Sequence, residues 1–412
     1  MLVFVYLIYS EKNKSELTDL DNTEVQGEIK DPTLKLELVF GGLQFPTSIA
    51  FLGPNDILVM ENQKGTVQRI TNGKMLPNPF LTVNVTDNVD RCMCGISIIN
   101  TNNSIPSKYV FLYFTEANKG QKPGDRLYRY EWIDNQLVNP QLLIDIPATA
   151  GHPERHAGGP ILITDNKTLY LATGDDDGLH KSLVQNYKSK EPLYGASGIL
   201  KMTADGKPVQ GRGILGDSYP LNLYYAYGIR NSYGLDIDPL TGKLWDTENG
   251  PDYGDEVNLV EQGFNSGSNK VQGFSSNMKN FSLKHLVDFG GRGKYSEPEF
   301  EWHDSIGPTA LRFLPSDILG SKYKNDIFVG SMTHGRIYHF DLGNTRSELL
   351  LEEPLKDKRA DTDKEDELEK VIFAKVEGGV SDLKVGPYDG YLYGVSPGQG
   401  KIFRIVPSKL VP

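Results

Sequence analysis

The pattern that most constrains the fold is a unit that recurs six times after residue 35. Each copy runs apolar strand, turn rich in Gly, Pro, Asn or Asp, second strand, gap, then a third strand, most often opened by glycine. The first copy is Ser48-Ile49-Ala50-Phe51, the turn Gly53-Pro54-Asn55-Asp56, Ile57-Leu58-Val59-Met60, and Gly65-Thr66-Val67-Gln68-Arg69-Ile70. Later copies begin near Gly95, Ile161, Gly234, Ala310 and Ser381. Six such units predict six antiparallel sheets, each with two faces to bury. Radial stacking buries both faces and leaves only short protected edges. The expectation is all-β: a six-bladed β-propeller of four-stranded antiparallel blades, forming one domain over residues 35–412. The repeat is stretched by long loops at 173–197, 207–229 and 261–307, and loops of that length in a compact domain are usually functional or disordered.

The remaining composition narrows the class. The chain has 412 residues and a net charge of -11, from 43 basic and 54 acidic residues. No basic block stands out, which argues against nucleic acid as a partner. Cys92 and Cys94 flank a single residue. A bridge across so short a loop is strained, so the pair reads as two small apolar side chains. Residues 1–34 read as a truncated signal or anchor remnant followed by a linker. The apolar start Leu2 to Tyr9 is too short to span a bilayer, which takes about 20 residues, but it leaves room for a membrane tether. Five N-x-Ser/Thr sequons, at Asn13, Asn84, Asn102, Asn166 and Asn280, agree with an exported protein at the cell surface, in the periplasm or outside the cell. The charge run at 353–370 reads as a solvated loop or short surface helix.

Chemistry-bearing residues fall at comparable places in successive units. His156 precedes Gly158-Gly159, and Asp175 follows the strand Leu169-Tyr170-Leu171-Ala172. An acid at a strand end can hold an imidazole in one tautomer, as a histidine base requires. Arg230-Asn231 precedes the first strand of the fourth unit, and Glu248-Asn249-Gly250-Pro251-Asp252-Tyr253-Gly254-Asp255-Glu256 follows its second. Histidine, arginine, asparagine and acids converging on one mouth make an active-site composition. Each also has a plainer reading: Asp175 to Asp177 as a turn, Arg230 as an ion-pair partner, and 250–256 as a turn between strands. Hard oxygen donors on a Gly/Pro-shaped loop equally suit calcium. His152 and His180 read as loop residues.

From Leu36 to Pro407 the chain resembles the soluble quinoprotein glucose/sorbosone dehydrogenases. The matching pieces are His-x-Gly-Gly at 156–159, Leu-Tyr-Leu-Ala-Thr-Gly-Asp at 169–175, Arg230-Asn231 with Gly234-Leu235, Glu248-Asn249-Gly250-Pro251 with Asp255-Glu256-Val257-Asn258, and Gly307-Pro308-Thr309-Ala310. The resemblance implies pyrroloquinoline quinone (PQQ) over the central channel, and oxidation of an aldose C1 hydroxyl to a lactone. It makes His156 the base, Asp175 its orienting acid, and Arg230 the group that polarises the quinone oxygens. It places Asn231 and Thr333 at the cofactor, Thr333 standing where some members have a lysine. It gives calcium to Gly250 and Pro251, with Asp252, Asp255 and Glu256 as further candidate ligands. A sugar substrate and an unidentified electron acceptor are the implied partners.

The chain also departs from the pattern. The family's Arg-x-Arg-Asp before the last blade reads Gly379-Val380-Ser381-Asp382, so two cations that would meet the cofactor carboxylates are missing. A tricarboxylate with fewer cations around it binds more weakly; Lys375 and Arg336 are candidates to compensate. Two other readings stay open: a calcium-dependent propeller lactonase or related hydrolase, and a non-catalytic propeller that binds carbohydrate or protein.

Overall fold

The second strand of most units is buried along its whole length. Thr168–Thr173, Leu244–Glu248, Ile327–Ser331 and Leu392–Ser396 have no exposed residue. A strand covered on both faces needs a near-continuous apolar or hydrogen-bonded run, and these sequences supply one. Outer strands show the contrast: Gln136–Pro147 is exposed or half-buried everywhere except Ile144 and Ile146. The computed structural model describes residues 24–408 apart from 63, 86–92, 101–107, 118–122, 148–155, 177–180, 210–212 and 362.

The described residues form six sheets in a propeller arrangement. Sheet one starts with Pro46–Gly53, sheet two with Met93–Asn100, sheet three with Gly158–Ile163, sheet four with Ser232–Ile237, sheet five with Pro308–Phe313 and sheet six with Asp382–Val385. Each of these first strands packs on the first strand of the next sheet, and that of sheet six packs on that of sheet one, so the ring closes. Six hydrophobic clusters each lie between two neighbouring sheets. Apolar burial therefore holds sheet to sheet around the ring. The cluster between sheets four and five is the most aromatic, with Trp302 against Phe300, Tyr338 and Phe340 at centroid distances of 5.0 to 5.9 Å.

The sheets hold four to six strands, not uniformly four. Sheet three grows to six because the long loops add Phe264–Asn265 and Lys294–Tyr295 in parallel register. Sheet six is closed by Leu34–Phe40, which pairs antiparallel with Lys401–Pro407. Part of the expected linker is also structural: Gly27–Ile29 pairs with Ala374–Val376 on the outer edge of sheet five. The charge run contains the short helix Glu365–Val371. Cys94 is half-buried and disulfide-bonded, so it is not the apolar thiol expected; Cys92 lies outside the described residues. No helix among the described residues is long and apolar enough to cross a membrane.

Candidate active site

Strand register gathers the candidate residues at one end of the ring. Gly158 pairs with Thr173, Ser232 with Glu248, and Pro308 with Ser331. The residues just before each first strand and just after each second strand therefore emerge together: His156 and Asp175 from sheet three, Arg230, Asn231 and Gly250 from sheet four, Thr333 from sheet five. Arg155, His152, Asp177 and His180 lie outside the described residues.

His156 is placed by its backbone. Its φ is 58°, in the left-handed region that non-glycine residues rarely occupy. Its carbonyl runs so close to Gly174 that a Cβ there would sit 1.5 Å from the oxygen, so only glycine fits. The imidazole has a partner on each nitrogen: Nδ1 is 2.8 Å from Asp175 Oδ1, and Nε2 is 3.0 Å from Arg230 Nη2. A guanidinium can only donate. Nε2 therefore accepts, and Nδ1 carries the proton that it donates to Asp175. The ring is neutral with its lone pair on Nε2, the tautomer a general base needs. Asp175 is itself fixed, with its N–H donating to the Arg230 carbonyl at 2.9 Å and Gln185 Nε2 donating to its carbonyl at 2.9 Å.

Arg230 joins this pair to the next turn. Its Nη1 donates to the carbonyls of Asn249 and Gly250 at 2.9 and 2.7 Å, and its backbone N–H to Glu248 Oε1 at 2.7 Å. Asn231 Oδ1 accepts from the Gly158 N–H at 3.3 Å, tying sheet four to the glycine pair after His156.

The five expected metal residues do not form one group. Asp255 braces the turn: Oδ1 accepts from the Gly250 N–H, and Oδ2 from Ser305 Oγ and the N–H groups of Ile306 and Gly307. Burial lifts this carboxyl to about 6 although the hydrogen bonds oppose the shift. Pro251 and Asp252 are exposed. Glu256 faces the other way, accepting from the Gly273 N–H at 2.6 Å and Asn258 Nδ2 at 3.1 Å. It joins two acids that the sequence reading passed over as ligands, Asp246 and Glu248, in a fully buried cluster. Both oxygens of Asp246, Oε2 of Glu248 and Oδ1 of Asn258 are buried without a hydrogen-bond partner. Burial lifts the Asp246 carboxyl to about 7. Glu248 is raised by burial and then by the Asp246 charge, and Glu256 by burial and then by the Glu248 charge. Uncompensated buried carboxylates are costly, and an all-oxygen set of this kind suits a hard divalent cation.

The side of the mouth built by sheets five and six is sparser. Thr333 Oγ1 is buried without a hydrogen-bond partner, while its N–H donates to the Ile306 carbonyl at 3.2 Å. Gly379 has φ 81°, and a Cβ there would meet Met332 Sδ at 2.6 Å. Ser381 Oγ donates to the Pro46 carbonyl at 3.3 Å. Lys375 sits on an outer strand, 3.5 Å from Glu369 and 3.9 Å from Glu28, and Arg336 lies opposite it in register. The expectation that Lys375 replaces the missing cations therefore fails. Cations do occur deeper, on the innermost strands: Lys384 lies 3.7 Å from Asp382 and Arg312 4.0 Å from Asp236. Burial, then the Arg312 charge, brings the Lys384 ammonium down to about 8.

Known proteins share this fold over nearly the whole chain. A family model for Glucose / Sorbosone dehydrogenase matches residues 43–404. The aldose sugar dehydrogenase YliI of Escherichia coli is 22% identical over 378 residues, covering 91% of this chain and 93% of that protein. The crystal structure of the soluble aldose sugar dehydrogenase of Escherichia coli in its apo-form superposes with a TM-score of 0.68 at 20% identity, over 91% of this chain and all of that one. The PQQ-bound aldose sugar dehydrogenase of Streptomyces coelicolor gives a TM-score of 0.61 at 21% identity, over 93% and 99% of the two chains.

Proposed function

Because the chain belongs to the glucose/sorbosone dehydrogenase family, we propose that it is an exported oxidoreductase that uses PQQ and calcium to oxidise the C1 hydroxyl of an aldose to a lactone. In this reading each of the six sheets is one blade of a six-bladed propeller, and the reducing equivalents pass to an acceptor still to be identified. The observation that carries the reading is the neutral His156 ring fixed between Asp175 and Arg230.

The hydride acceptor is supplied by PQQ when it is bound. The residues at the mouth fit an oxygen-rich anion: the Arg230 guanidinium, the Asn231 amide and the unpartnered Thr333 hydroxyl would hold it. His156 Nε2 takes the proton of the C1 hydroxyl as the carbon loses hydride. Asp175 keeps the ring oriented and stabilises the imidazolium that forms. For Nε2 to meet a substrate hydroxyl, its contact with Arg230 must give way, which leaves the guanidinium to the cofactor oxygens. Calcium has two oxygen sets to choose from. One is the carbonyls of Gly250 and Pro251. The other is the buried group of Asp246, Glu248, Glu256 and Asn258, whose orphaned oxygens a cation would satisfy.

The hydrolase reading is weaker. It needs a metal near the ring's centre, and the acids there, Asp236 and Asp382, already face Arg312 and Lys384. Reconstitution tests the proposal. Chelator-treated protein should reduce a dye in the presence of an aldose only after both PQQ and calcium are restored. Calcium should also raise its melting temperature, since a ligand that binds only the folded state stabilises it. Failure to bind PQQ at any calcium concentration would end the dehydrogenase reading.

A further inference from the structure

Sheet five carries a second cluster of ligating side chains. Asp326 precedes the strand Ile327–Ser331, His339 lies on Arg336–Phe340, and Asp341 follows that strand. Ser331 pairs with Pro308 at the active-site end of the sheet and Ile327 with Phe313 at the far end. The cluster therefore lies on the opposite face of the ring from His156, one strand length away.

His339 Nε2 is 3.1 Å from Asp326 Oδ2 and 3.5 Å from Asp341 Oδ1, and the three ligand atoms all lie within 4.8 Å of one another. One nitrogen carries one proton or one lone pair, so it cannot make a good hydrogen bond to both carboxylates. The 3.1 Å contact to Asp326 is a hydrogen bond, and the 3.5 Å approach to Asp341 is too long to be a second one. Both spacings are within a few tenths of an ångström of the edge of a metal tetrahedron. Zinc bonds of about 2.0–2.2 Å to nitrogen and oxygen place neighbouring ligand atoms roughly 3.3–3.6 Å apart.

The imidazole is held in place for such a role. Its ring lies edge to face with Tyr323 at 5.1 Å and against Phe328 at 5.0 Å. Asp326 is buried at 9%, so its carboxylate approaches the ring from inside the fold. One imidazole with two carboxylates is a borderline donor set, suited to zinc or manganese; calcium wants six to eight oxygens.

We propose that Asp326, His339 and Asp341 bind a divalent transition metal of the zinc class, with water in the fourth position. It would be a structural staple between the second and third strands of sheet five, separate from the sugar chemistry.

The test uses the full chain, stripped with a chelator and titrated with Zn²⁺ alone by calorimetry. One event should weaken in Asp341→Asn, a change at a half-exposed side chain that leaves the core untouched, and in His339→Gln. The loss should be at least the ~10–100-fold typical of removing an outer-shell partner. The same event should persist in Asp246→Asn, which alters the buried acid cluster instead. Co²⁺ in place of Zn²⁺ should give the intense visible bands of a four-coordinate ion, absent in Asp341→Asn. Identical zinc uptake by wild type and Asp341→Asn, or no uptake at all, would mean that the three residues form ion pairs only and would overturn the proposal.

Discussion

The two halves of the mouth are built to different standards. On the side of sheets three and four, His156, Asp175, Arg230 and Asn231 are tied to one another and to the backbone. On the side of sheets five and six the corresponding positions are Thr333 with an orphaned hydroxyl, Gly379 with no side chain, and Ser381 bound to a carbonyl of sheet one. The first half would move a proton; the second would hold the carboxylates of an anionic cofactor. In the proposed reading the base lies wholly on the first side, while the cofactor contacts are shared between Arg230 and Asn231 there and Thr333 on the second, so the second side can weaken without loss of the base.

The sharpest way to break this comparison is at the base. His156→Ala should lower sugar-dependent dye reduction by roughly 10²–10⁴-fold, the worth of a general base, while PQQ binding, measured by fluorescence or calorimetry, stays nearly intact. Turnover close to wild type would remove His156 from the chemistry and with it the division of labour.

A smaller effect is expected on the sparse side. Ser381→Arg should tighten PQQ binding more than tenfold, since a charge-assisted hydrogen bond is worth about 1.5–3 kcal/mol, and the gain should shrink in high salt. Gly379→Arg is the poorer test, because its positive φ and the Met332 contact would strain the turn. If wild type already binds PQQ tightly and Ser381→Arg changes nothing, other cations serve this side and the halves are not unequal.

The smallest effect probes the support behind the intact half. Asp125 is buried on sheet two, accepting from Thr115 Oγ1 at 2.7 Å, and burial, with the nearby Asp176 charge, lifts its carboxyl to about 7. A carboxyl raised above its unfolded value of 3.8 holds its proton longer in the folded state. Its contribution to stability is complete below about pH 4 and fades as pH rises through 7. Denaturant titrations should therefore show wild type losing about 1.4 kcal/mol between pH 6 and 8, one pKa unit's worth, relative to Asp125→Asn. Equal slopes in the two proteins would show that Asp125 is ionised in both states.

The sheets were legible because their strands repeat with turn residues between them, and strand ends carry the site by register. Register is why His156, Asp175 and Arg230 come into contact. The metal residues were misgrouped because Asp255 and Glu256 are neighbours on one strand, and neighbours point to opposite faces. The same rule offered a signal that went unused. Asp246 and Glu248 share a face, and the hairpin sets them opposite Asn258 and Glu256. An acid-x-acid strand paired with an acid-x-amide strand marks a buried oxygen cluster. The strand Gly27–Ile29 could not be read, since three residues with no apolar alternation carry too little pattern.

The closure of sheet six by Leu34–Phe40 against Lys401–Pro407 has a consequence for biosynthesis. Leu34–Phe40 must wait for the distant Lys401–Pro407 to be made before it can pair. Sheets one to five can assemble as the chain emerges, but the ring is sealed only once Lys401–Pro407 is available to pair. Until then the apolar sides of sheets one and five, which sheet six will cover, are open to solvent. Slow, non-local pairing of this kind exposes sticky edges for longer than local hairpins do.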